Sequence, residues 1–581
     1  MSARLSNRRL RLLLVALAAV FALTIARAVW LQAVRGASLG RLAARQHHEV
    51  RLLPAGRGTI LDRLGYPLAI GEEATTVYAN PKQVRNPRAV ALAAAATLGV
   101  NADTLYPQLV DRRRGFVYIA RQADPRKAAA MMRRGLAGVE AYPEERRDYP
   151  QRSVAAQVLG YAGVDNRGLA GVELQDDPAL TGTPGRQTIV KDPFGQAIDV
   201  ISSTSVRNGH DVYLTLDHTI QAYAESVLRS TVRHWHAKDA TAIVLDPTTG
   251  GILAMAVVPG FDANRYPGAP RERQRNRAVT DTYEPGSTFK LVTVAGALSA
   301  RLVSASTPFT LPYSIQVADR VIHDAEPRPT ETLTVGQILA HSSNVGAITL
   351  AELLGRQRLS DWISRFGFGR ATGIDFPGES PGIVLPVDQW SGSTIGNVPI
   401  GQGIAVTPVQ MAAAYAAIAN GGVWLTPHLV DRVAGGGRPH VERRRVVSRG
   451  VAAQLVSMLE NVVEEGGTGT LAALSGYTVA GKTGTAAKPD REGYSTTKYV
   501  ASFVGMVPAS KPRLVILVAV DEPHGQIFGG LVAAPAFKEI AKFALQYLEV
   551  PPDDAATLNS AGSDGASADA SSSDASVSST P

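Results

Sequence analysis

The 581-residue chain has no cysteine, which excludes disulfide bridges and cysteine-based metal sites. Its 11 histidines show no spacing typical of metal ligands, so the sequence predicts neither a metal nor a cofactor. Basic residues outnumber acidic ones, 59 to 51, but 48 of them are arginines scattered along the chain, which indicates a compositional bias. Nucleic-acid binding requires basic residues concentrated on one surface, and this pattern does not indicate it.

Long apolar runs are also scarce, and the one that stands out lies at the amino terminus. Four arginines among the first 11 residues precede an apolar segment that only Arg27 interrupts before Leu31. About 20 helical residues span the hydrocarbon layer, and the arginines place the amino terminus in the cytoplasm. We therefore expect a cytoplasmic tail at 1–11, a single transmembrane anchor at 12–31 and an extracytoplasmic remainder. The alternative is a signal peptide, because residues 26–28 faintly resemble a signal-peptidase cleavage site.

Three short motifs, in a fixed order, carry the chemistry. The first is Ser287-Thr-Phe-Lys290, which follows a Pro-Gly pair and precedes the apolar run 291–298. This context predicts the start of a buried helix, with the two side chains one turn apart. A lysine made neutral by burial and by the positive end of a helix can deprotonate a serine nucleophile. An N-capping serine beside a surface lysine is the alternative. A second match, Ser495 to Lys498, lies in a polar stretch after the third motif, and we interpret it as unrelated surface sequence.

The second motif, Ser342-Ser-Asn344, lies between the segments 333–340 and 345–351, both of which have a helical pattern. A junction between helices can expose side chains to a ligand. The alternative is that Ser342 or Ser343 only caps the second helix.

The third motif, Lys482-Thr483-Gly484-Thr485, follows a short β-branched run, and the runs 499–507 and 514–520 predict adjacent antiparallel strands. Glycine at 484 would allow a ligand backbone to lie against the strand edge. Lys482 and Thr483 could then hold a carboxylate, and the N–H groups of Thr485 and Ser287 could form an oxyanion hole. A solvated lysine on an edge strand is the alternative.

With these motifs in this order, the chain resembles the class B penicillin-binding proteins, and within them the septal cell-division transpeptidases, over about residues 10–550. The resemblance extends to several further segments, namely 57–65, 168–173, 401–408, 502–508, 521–523 and 529–535. Taken by themselves, Arg57, Asp62 and Arg63 are better explained as a structural ion-pair cluster than as a site.

The resemblance implies a serine D-Ala-D-Ala transpeptidase of peptidoglycan that is also acylated by β-lactams. Ser287 would attack the penultimate D-Ala carbonyl of a stem peptide, with Lys290 as base and Ser342 as proton relay. Asn344 and the residues Lys482 to Thr485 would bind the donor peptide. The family also implies a location in the inner membrane at the division septum, with the catalytic domain in the periplasm. Its implied partners are a septal glycosyltransferase and other division proteins.

We therefore expect a multidomain α+β protein. A juxtamembrane connector and a non-catalytic, dimerisation-type pedestal domain would occupy 32–220. A transpeptidase domain at 221–550 would contain a central antiparallel sheet flanked by helices, as in serine β-lactamases. The segment 551–581, rich in Ser, Ala and Asp, cannot bury enough apolar surface to fold and is predicted to be a disordered tail.

Two other functions share these motifs. A class A β-lactamase needs a glutamate that activates water, and no Glu-x-x-x-Asn occurs between Asn344 and Lys482. A non-enzymatic β-lactam sensor could keep the same domain, but the intact nucleophile, base and strand motif favour an enzyme.

Overall fold

The amino-terminal apolar run forms one continuous helix in the computed structural model, which describes residues 2–36, 48–191, 197–491 and 493–554. Within this helix, the segment Arg8–Ala33 contains an 18-residue window with a mean hydropathy of 2.5, and its length and composition are sufficient to cross a membrane. The anchor predicted at 12–31 lies inside this segment.

Strands and helices alternate along the rest of the described chain. The strands are β1 (His48–Leu53), β2 (Ile60–Leu61), β3 (Pro67–Ala79), β4 (Val117–Ala123), β5 (Val139–Asp148), β6 (Tyr161–Ala162), β7 (Gly168–Ala170), β8 (Gly185–Lys191), β9 (Ala197–Thr204), β10 (Val212–Leu214), β11 (Asp239–Leu245), β12 (Ile252–Val258), β13 (Pro308–Leu311), β14 (Ser314–Val317), β15 (Arg320–His323), β16 (Glu331–Thr334), β17 (Val423–Leu425), β18 (Val430–Val433), β19 (Arg443–Arg445), β20 (Ala480–Asp490), β21 (Gly493–Val507) and β22 (Leu514–Asp521). The α-helices are α1 (Ser2–Ala33), α2 (Pro87–Leu98), α3 (Ala102–Val110), α4 (Pro125–Met132), α5 (Ala156–Leu159), α6 (Gly171–Gln175), α7 (Asp177–Leu180), α8 (His218–His234), α9 (Arg271–Gln274), α10 (Arg277–Thr280), α11 (Lys290–Ser299), α12 (Val335–Ala340), α13 (Asn344–Leu354), α14 (Arg356–Phe366), α15 (Thr394–Asn397), α16 (Pro408–Ala419), α17 (Arg449–Glu460), α18 (Gly529–Val532) and α19 (Ala534–Tyr547). Short 3-10 helices lie at Ala263–Gly268, Gly286–Phe289, Val387–Gln389, Val398–Ile400 and Thr470–Ala472.

The described residues form two compact units, and the pedestal region predicted at 32–220 is divided between them. One unit, Met1–Gly56 with Gly182–Gly209, contains α1 and an antiparallel sheet of strand order β1-β8-β9. The other, Arg57–Thr181 with His210–Pro581, contains the rest of the pedestal and the catalytic region.

Within the second unit, a six-stranded sheet joins the pedestal to the catalytic region. Its order is β18-β10-β2-β3-β4, and β5 pairs with β3. Strand β18 belongs to the catalytic region, whereas β2 to β5 belong to the pedestal. The main hydrophobic core is likewise continuous, since it contains Ile60 and Val172 together with Phe289 and Tyr415. This shared core explains why residues 57–181 belong to the same unit as the catalytic region.

The segment Arg57 to Arg63 holds the fold together through two separate sets of contacts. The Arg57 guanidinium pairs with Glu173 at 2.7 Å and with Asp177 at 2.6 Å. Asp62 accepts backbone N–H groups of its own turn, and Arg63 lies 3.3 Å from Asp217. These residues therefore have structural roles, as predicted, although they do not pair with one another.

The catalytic sheet has the order β12-β11-β22-β21-β20, and every pair in it is antiparallel. Helices α8 and α19 pack on one face of the sheet, and the helical core around α11 and α16 packs on the other. The predicted antiparallel sheet flanked by helices is confirmed. Strand β20, which carries the third motif, is the last strand of this sheet and pairs with a strand on one side only among the described residues.

Two boundaries differ from the sequence expectations. The segment 333–340 begins as the end of β16 and becomes helical only at Val335. Residues 551–554, assigned above to the tail, contact the domain predicted at 221–550, because the Asp553 carboxylate accepts the Thr478 N–H at 2.9 Å and the Thr478 hydroxyl at 2.6 Å. The rest of the predicted disordered tail, 555–581, lies outside the described residues.

Candidate active site

The first motif forms the turn that opens α11. Ser287 lies on the 3-10 helix Gly286–Phe289 and is partly exposed, whereas Lys290 begins α11 and is fully buried. In a 3-10 turn, side chains three residues apart lie on the same side, so the tighter turn keeps Ser287 and Lys290 on one face. The helix start was predicted at this place, but its first turn is 3-10 instead of α.

Lys290 connects the first motif to the second. Its Nζ donates to Asn344 Oδ1 at 2.7 Å, to Ser342 Oγ at 3.2 Å and to the Ser342 carbonyl oxygen. Burial lowers the pKa of Lys290 to about 7, although the Asp324 carboxylate opposes this shift. A large fraction of Lys290 is therefore neutral near pH 7, as a general base requires.

The three residues of the second motif make different contacts. Ser343 caps α13, since its Oγ accepts the Gly346 N–H at 2.9 Å, as the capping alternative proposed. Ser342 does not cap the helix but faces Lys290, and its φ of 59° is unusual for a residue other than glycine. Asn344 also donates through Nδ2 to the His323 carbonyl oxygen at 3.0 Å. Much of its amide group is therefore engaged within the protein.

The sequence analysis missed Asp324, which holds the second motif in place. Asp324 is 5% exposed, and its carboxylate accepts from the Ser343 hydroxyl and from the backbone N–H groups of Asn344 and Val345. The Arg328 guanidinium pairs with the same carboxylate at 2.6 Å. A carboxylate at a helix amino terminus is stabilised by the free N–H groups there. No local motif marks Asp324, which precedes the helix by some 20 residues.

The third motif lies beside the turn that carries Ser287, the predicted nucleophile, which we call the nucleophile turn. An added Cβ at Gly484 would lie 2.9 Å from the Pro285 carbonyl oxygen and 2.4 Å from Ser502 Oγ, so only glycine fits between β20 and this turn. Gly401 contacts the other side of the turn, because its own added Cβ would lie 2.1 Å from the Gly286 carbonyl oxygen. The nucleophile turn is thus enclosed between β20 and the 401–403 loop.

Lys482 is fully buried, and its Nζ donates to Thr483 Oγ1 at 3.2 Å. Burial lowers the pKa of Lys482 well below its ordinary value, and the nearby Lys290 charge lowers it further. Thr468, a second residue that the sequence did not indicate, shares a hydrogen bond of 2.8 Å between its hydroxyl and that of Thr483. Thr485 is partly exposed, and its Oγ1 accepts the Gly529 N–H at 3.1 Å. All three motifs therefore meet around Ser287.

Glu284 was also missed, although it lies three residues before Ser287. Its Oε1 accepts the Gly403 N–H at 2.9 Å and the Tyr494 hydroxyl at 3.0 Å. It therefore connects the segment before the nucleophile with the 401–403 loop and with β21. The pattern of a carboxylate beside a catalytic turn is too common to have predicted this contact.

The second Ser-x-x-Lys match lies elsewhere, on β21 near its hairpin with β20. Ser495 Oγ accepts the backbone N–H of Lys498 at 3.0 Å, and Lys498 is exposed. This placement agrees with its interpretation as surface sequence.

One group of three side chains in the described residues has donor atoms close enough to hold a metal: Asp62, Asp217 and His218, within 4.8 Å of one another. Asp62 Oδ2 already pairs with His218 Nδ1 at 2.6 Å, and Asp217 Oδ1 caps α8 by accepting the N–H groups of Thr219 and Ile220. These contacts account for the group as a helix cap and ion pair.

Two family models match the chain: the penicillin binding protein transpeptidase domain over residues 240–542, and the penicillin-binding protein dimerisation domain over 52–214. The first covers more than half of the sequence. The chain belongs to the class B penicillin-binding proteins. It is a serine peptidoglycan D,D-transpeptidase, and its pedestal corresponds to the family's dimerisation domain.

Similar proteins agree with this assignment. Peptidoglycan D,D-transpeptidase FtsI of Escherichia coli K12 is 35% identical over 544 residues, which cover 92% of this chain and 91% of the relative. Stage V sporulation protein D of Bacillus subtilis is 35% identical over 548 residues, covering 92% and 84%. The crystal structure of penicillin binding protein 3 from Mycobacterium tuberculosis complexed with ampicillin is similar at a TM-score of 0.69 with 31% identity, covering 87% of this chain and 98% of that one.

Proposed function

We propose that this class B penicillin-binding protein cross-links peptidoglycan stem peptides during synthesis of the division septum. The observation that carries the proposal is the meeting of three motifs around Ser287, with a buried Lys290 whose pKa lies near neutrality. The septal assignment is supported by the resemblance of segments 521–523 and 529–535 to the division branch of the family.

In the first step, Ser287 Oγ attacks the penultimate D-Ala carbonyl and Lys290 accepts its proton. A neutral amine has two N–H donors, which suit the Ser342 carbonyl oxygen and Asn344 Oδ1, and its lone pair is then available to accept a proton. Ser342 Oγ, 3.2 Å from Nζ, relays the proton to the departing D-Ala amine. In the second step an amine of a neighbouring stem peptide attacks the acyl-enzyme and forms the cross-link.

The third motif binds the donor peptide along the free edge of β20. Thr483, Thr485 and the buried Lys482 hold its terminal carboxylate, and Gly484 allows close approach of its backbone. The N–H groups of Thr485 and Ser287 stabilise the oxyanion of the tetrahedral intermediate. Asn344 accepts a hydrogen bond from Lys290 through its Oδ1, and its remaining amide N–H donates to the donor peptide.

β-Lactams acylate the same serine in this proposal, because their strained amide and carboxylate occupy the positions of the D-Ala-D-Ala terminus. Similar penicillin binding proteins have been crystallised with ampicillin and with aztreonam. We further propose that α1 anchors the protein in the inner membrane by a single pass. The catalytic domain then lies in the periplasm at the septum, where the pedestal contacts a septal glycosyltransferase and other division proteins.

The test of the chemistry compares Ser287→Ala with Ser495→Ala, using a fluorescent penicillin and mass spectrometry of the labelled peptide. We expect the first variant to lose labelling and the second to keep it. A drug adduct on Ser495 would overturn the assignment, and an adduct that hydrolyses rapidly would favour the β-lactamase alternative. Depletion in the host tests the septal role: filamentous cells support it, whereas rounded cells would contradict it.

A further inference from the structure

The helix start that carries Ser287 has no side-chain cap. Neither the 3-10 helix Gly286–Phe289 nor α11 is capped by a side chain among the described residues. Within the turn, the Thr288 hydroxyl donates to the Pro285 carbonyl oxygen at 2.8 Å, and the Lys290 N–H donates to the Ser287 carbonyl oxygen. An uncapped helix end needs other partners for its polar groups. Contacts from elsewhere in the fold therefore help to determine where Ser287 lies.

Residues 401–415 supply two of these contacts. The Gly286 N–H donates to the Gly401 carbonyl oxygen at 3.1 Å. From α16, the Tyr415 hydroxyl donates to the Thr288 carbonyl oxygen at 2.9 Å. The first contact joins backbone to backbone, whereas the second depends on a side chain. A single substitution can therefore remove the second contact alone.

Tyr415 is an unusual residue for its place in the fold. It is 0% exposed within the main core, and Gln410, which caps the helix, is the other polar side chain of α16. Burying a hydroxyl costs free energy unless it is hydrogen-bonded, and phenylalanine would fill nearly the same space without that cost. Burial also raises the pKa of Tyr415 well above its ordinary value, so the hydroxyl keeps its proton and remains a donor near neutral pH.

We infer that Tyr415 is a positioning residue for acylation, because its hydroxyl fixes the nucleophile turn against the core. The inference rests on the proposed roles of Ser287 and Lys290, whose side chains share one face only while this turn stays 3-10. The proposed oxyanion hole depends on the same turn, since one of its two N–H donors belongs to Ser287. A displacement of about 1 Å can slow such chemistry by about 10².

Tyr415→Phe removes one oxygen atom and keeps the buried ring. Acylation of the full chain in detergent by a fluorescent penicillin, followed over a range of concentrations, gives three quantities: the fraction labelled, the rate at saturation and the half-saturating concentration. We expect full labelling and a saturating rate lower by at least about fivefold. The half-saturating concentration should stay within about twofold of the wild type, because the third motif is unaltered.

Tyr283→Phe is the matched control. The Tyr283 hydroxyl is also buried near the turn, but it has no hydrogen-bond partner among the described residues. Its removal should therefore leave all three quantities as in the wild type, since no hydrogen bond is lost.

Four outcomes would overturn the inference. These are an unchanged saturating rate in Tyr415→Phe, a change confined to its half-saturating concentration, equal slowing in Tyr283→Phe, and a smaller labelled fraction at an unchanged rate. The last would show that Tyr415 contributes to stability alone. Ser287→Ala, measured in parallel, tests the proposed function separately. If Ser287→Ala still labels, the nucleophile is wrong; if it does not label while Tyr415→Phe acylates normally, only the role of Tyr415 is refuted.

Discussion

Replacing Lys290 by arginine separates a general base from a simple positive charge. Arginine keeps the charge but does not lose its proton in proteins. In the structure, burial lowers the pKa of Lys290 from 10.5 to about 7. This difference corresponds to about 5 kcal/mol in favour of the neutral amine. At pH 7, about half of Lys290 is therefore neutral, compared with roughly one lysine in 3,000 at the ordinary pKa.

We expect Lys290→Arg to slow acylation by at least about 10², because positioned acid–base groups contribute about 10² to 10⁴. In the wild type, the second-order rate constant of acylation, measured well below saturating penicillin, should fall as the pH drops below about 7 and level off above it, since the base must be neutral in the free enzyme. Stopped-flow measurement with a fluorescent penicillin gives both results.

Two further variants make the outcome interpretable. Lys498→Arg makes the same change in the second Ser-x-x-Lys match, where the lysine is exposed, and should acylate normally. Because arginine is larger than lysine and position 290 is fully buried, Lys290→Met provides a second variant that removes the base without adding volume. If a folded Lys290→Arg acylates within about tenfold of the wild type, Lys290 acts only as a cation and the proposed mechanism is wrong.

Three more variants test the surroundings of the site. Asp324→Asn should lower the pKa of Lys290 further and move the acylation profile to lower pH, because Asp324 opposes the effect of burial; an unmoved profile would contradict this. Gly484→Ala should destabilise the fold by about 1–3 kcal/mol in thermal unfolding and slow acylation, whereas Gly450→Ala, whose Cβ meets nothing within 4 Å, should do neither. A chain ending at residue 554 should acylate and unfold like the full chain, but one ending at 550 should melt earlier, because it loses the contacts of Asp553 with Thr478.

The motifs and the strands of the catalytic sheet could be predicted from the sequence because their signals are local. Strands β20, β21 and β22 are short β-branched runs, and Ser287 follows a proline–glycine pair that marks a helix start. The antiparallel order of these strands follows from their succession along the chain. Local patterns were therefore sufficient to predict which residues form these strands and this turn.

The residues that hold the motifs together could not be predicted, because their contacts depend on the tertiary fold. Asp324 is one of 51 acidic residues, and nothing in its neighbourhood distinguishes it until the chain brings it to the amino terminus of α13. The same holds for Thr468, whose hydroxyl meets that of Thr483 across a loop. Within the second motif, Ser343 caps the helix whereas Ser342 faces Lys290. This difference depends on the left-handed backbone conformation of Ser342.

Two fully buried lysines in one site give the substrate carboxylate a part in catalysis. The charge of Lys290 lowers the pKa of Lys482, so by reciprocity a charged Lys482 disfavours the ammonium form of Lys290. Before substrate binds, burial disfavours the ammonium form of both amines. An arriving carboxylate stabilises the ammonium form of Lys482, and that charge in turn favours the neutral, basic form of Lys290. In the proposed mechanism, the D-Ala carboxylate therefore both anchors the substrate and activates the base. A penicillin should accordingly acylate Ser287 faster at saturation than its methyl ester does, and equal saturating rates would contradict this coupling.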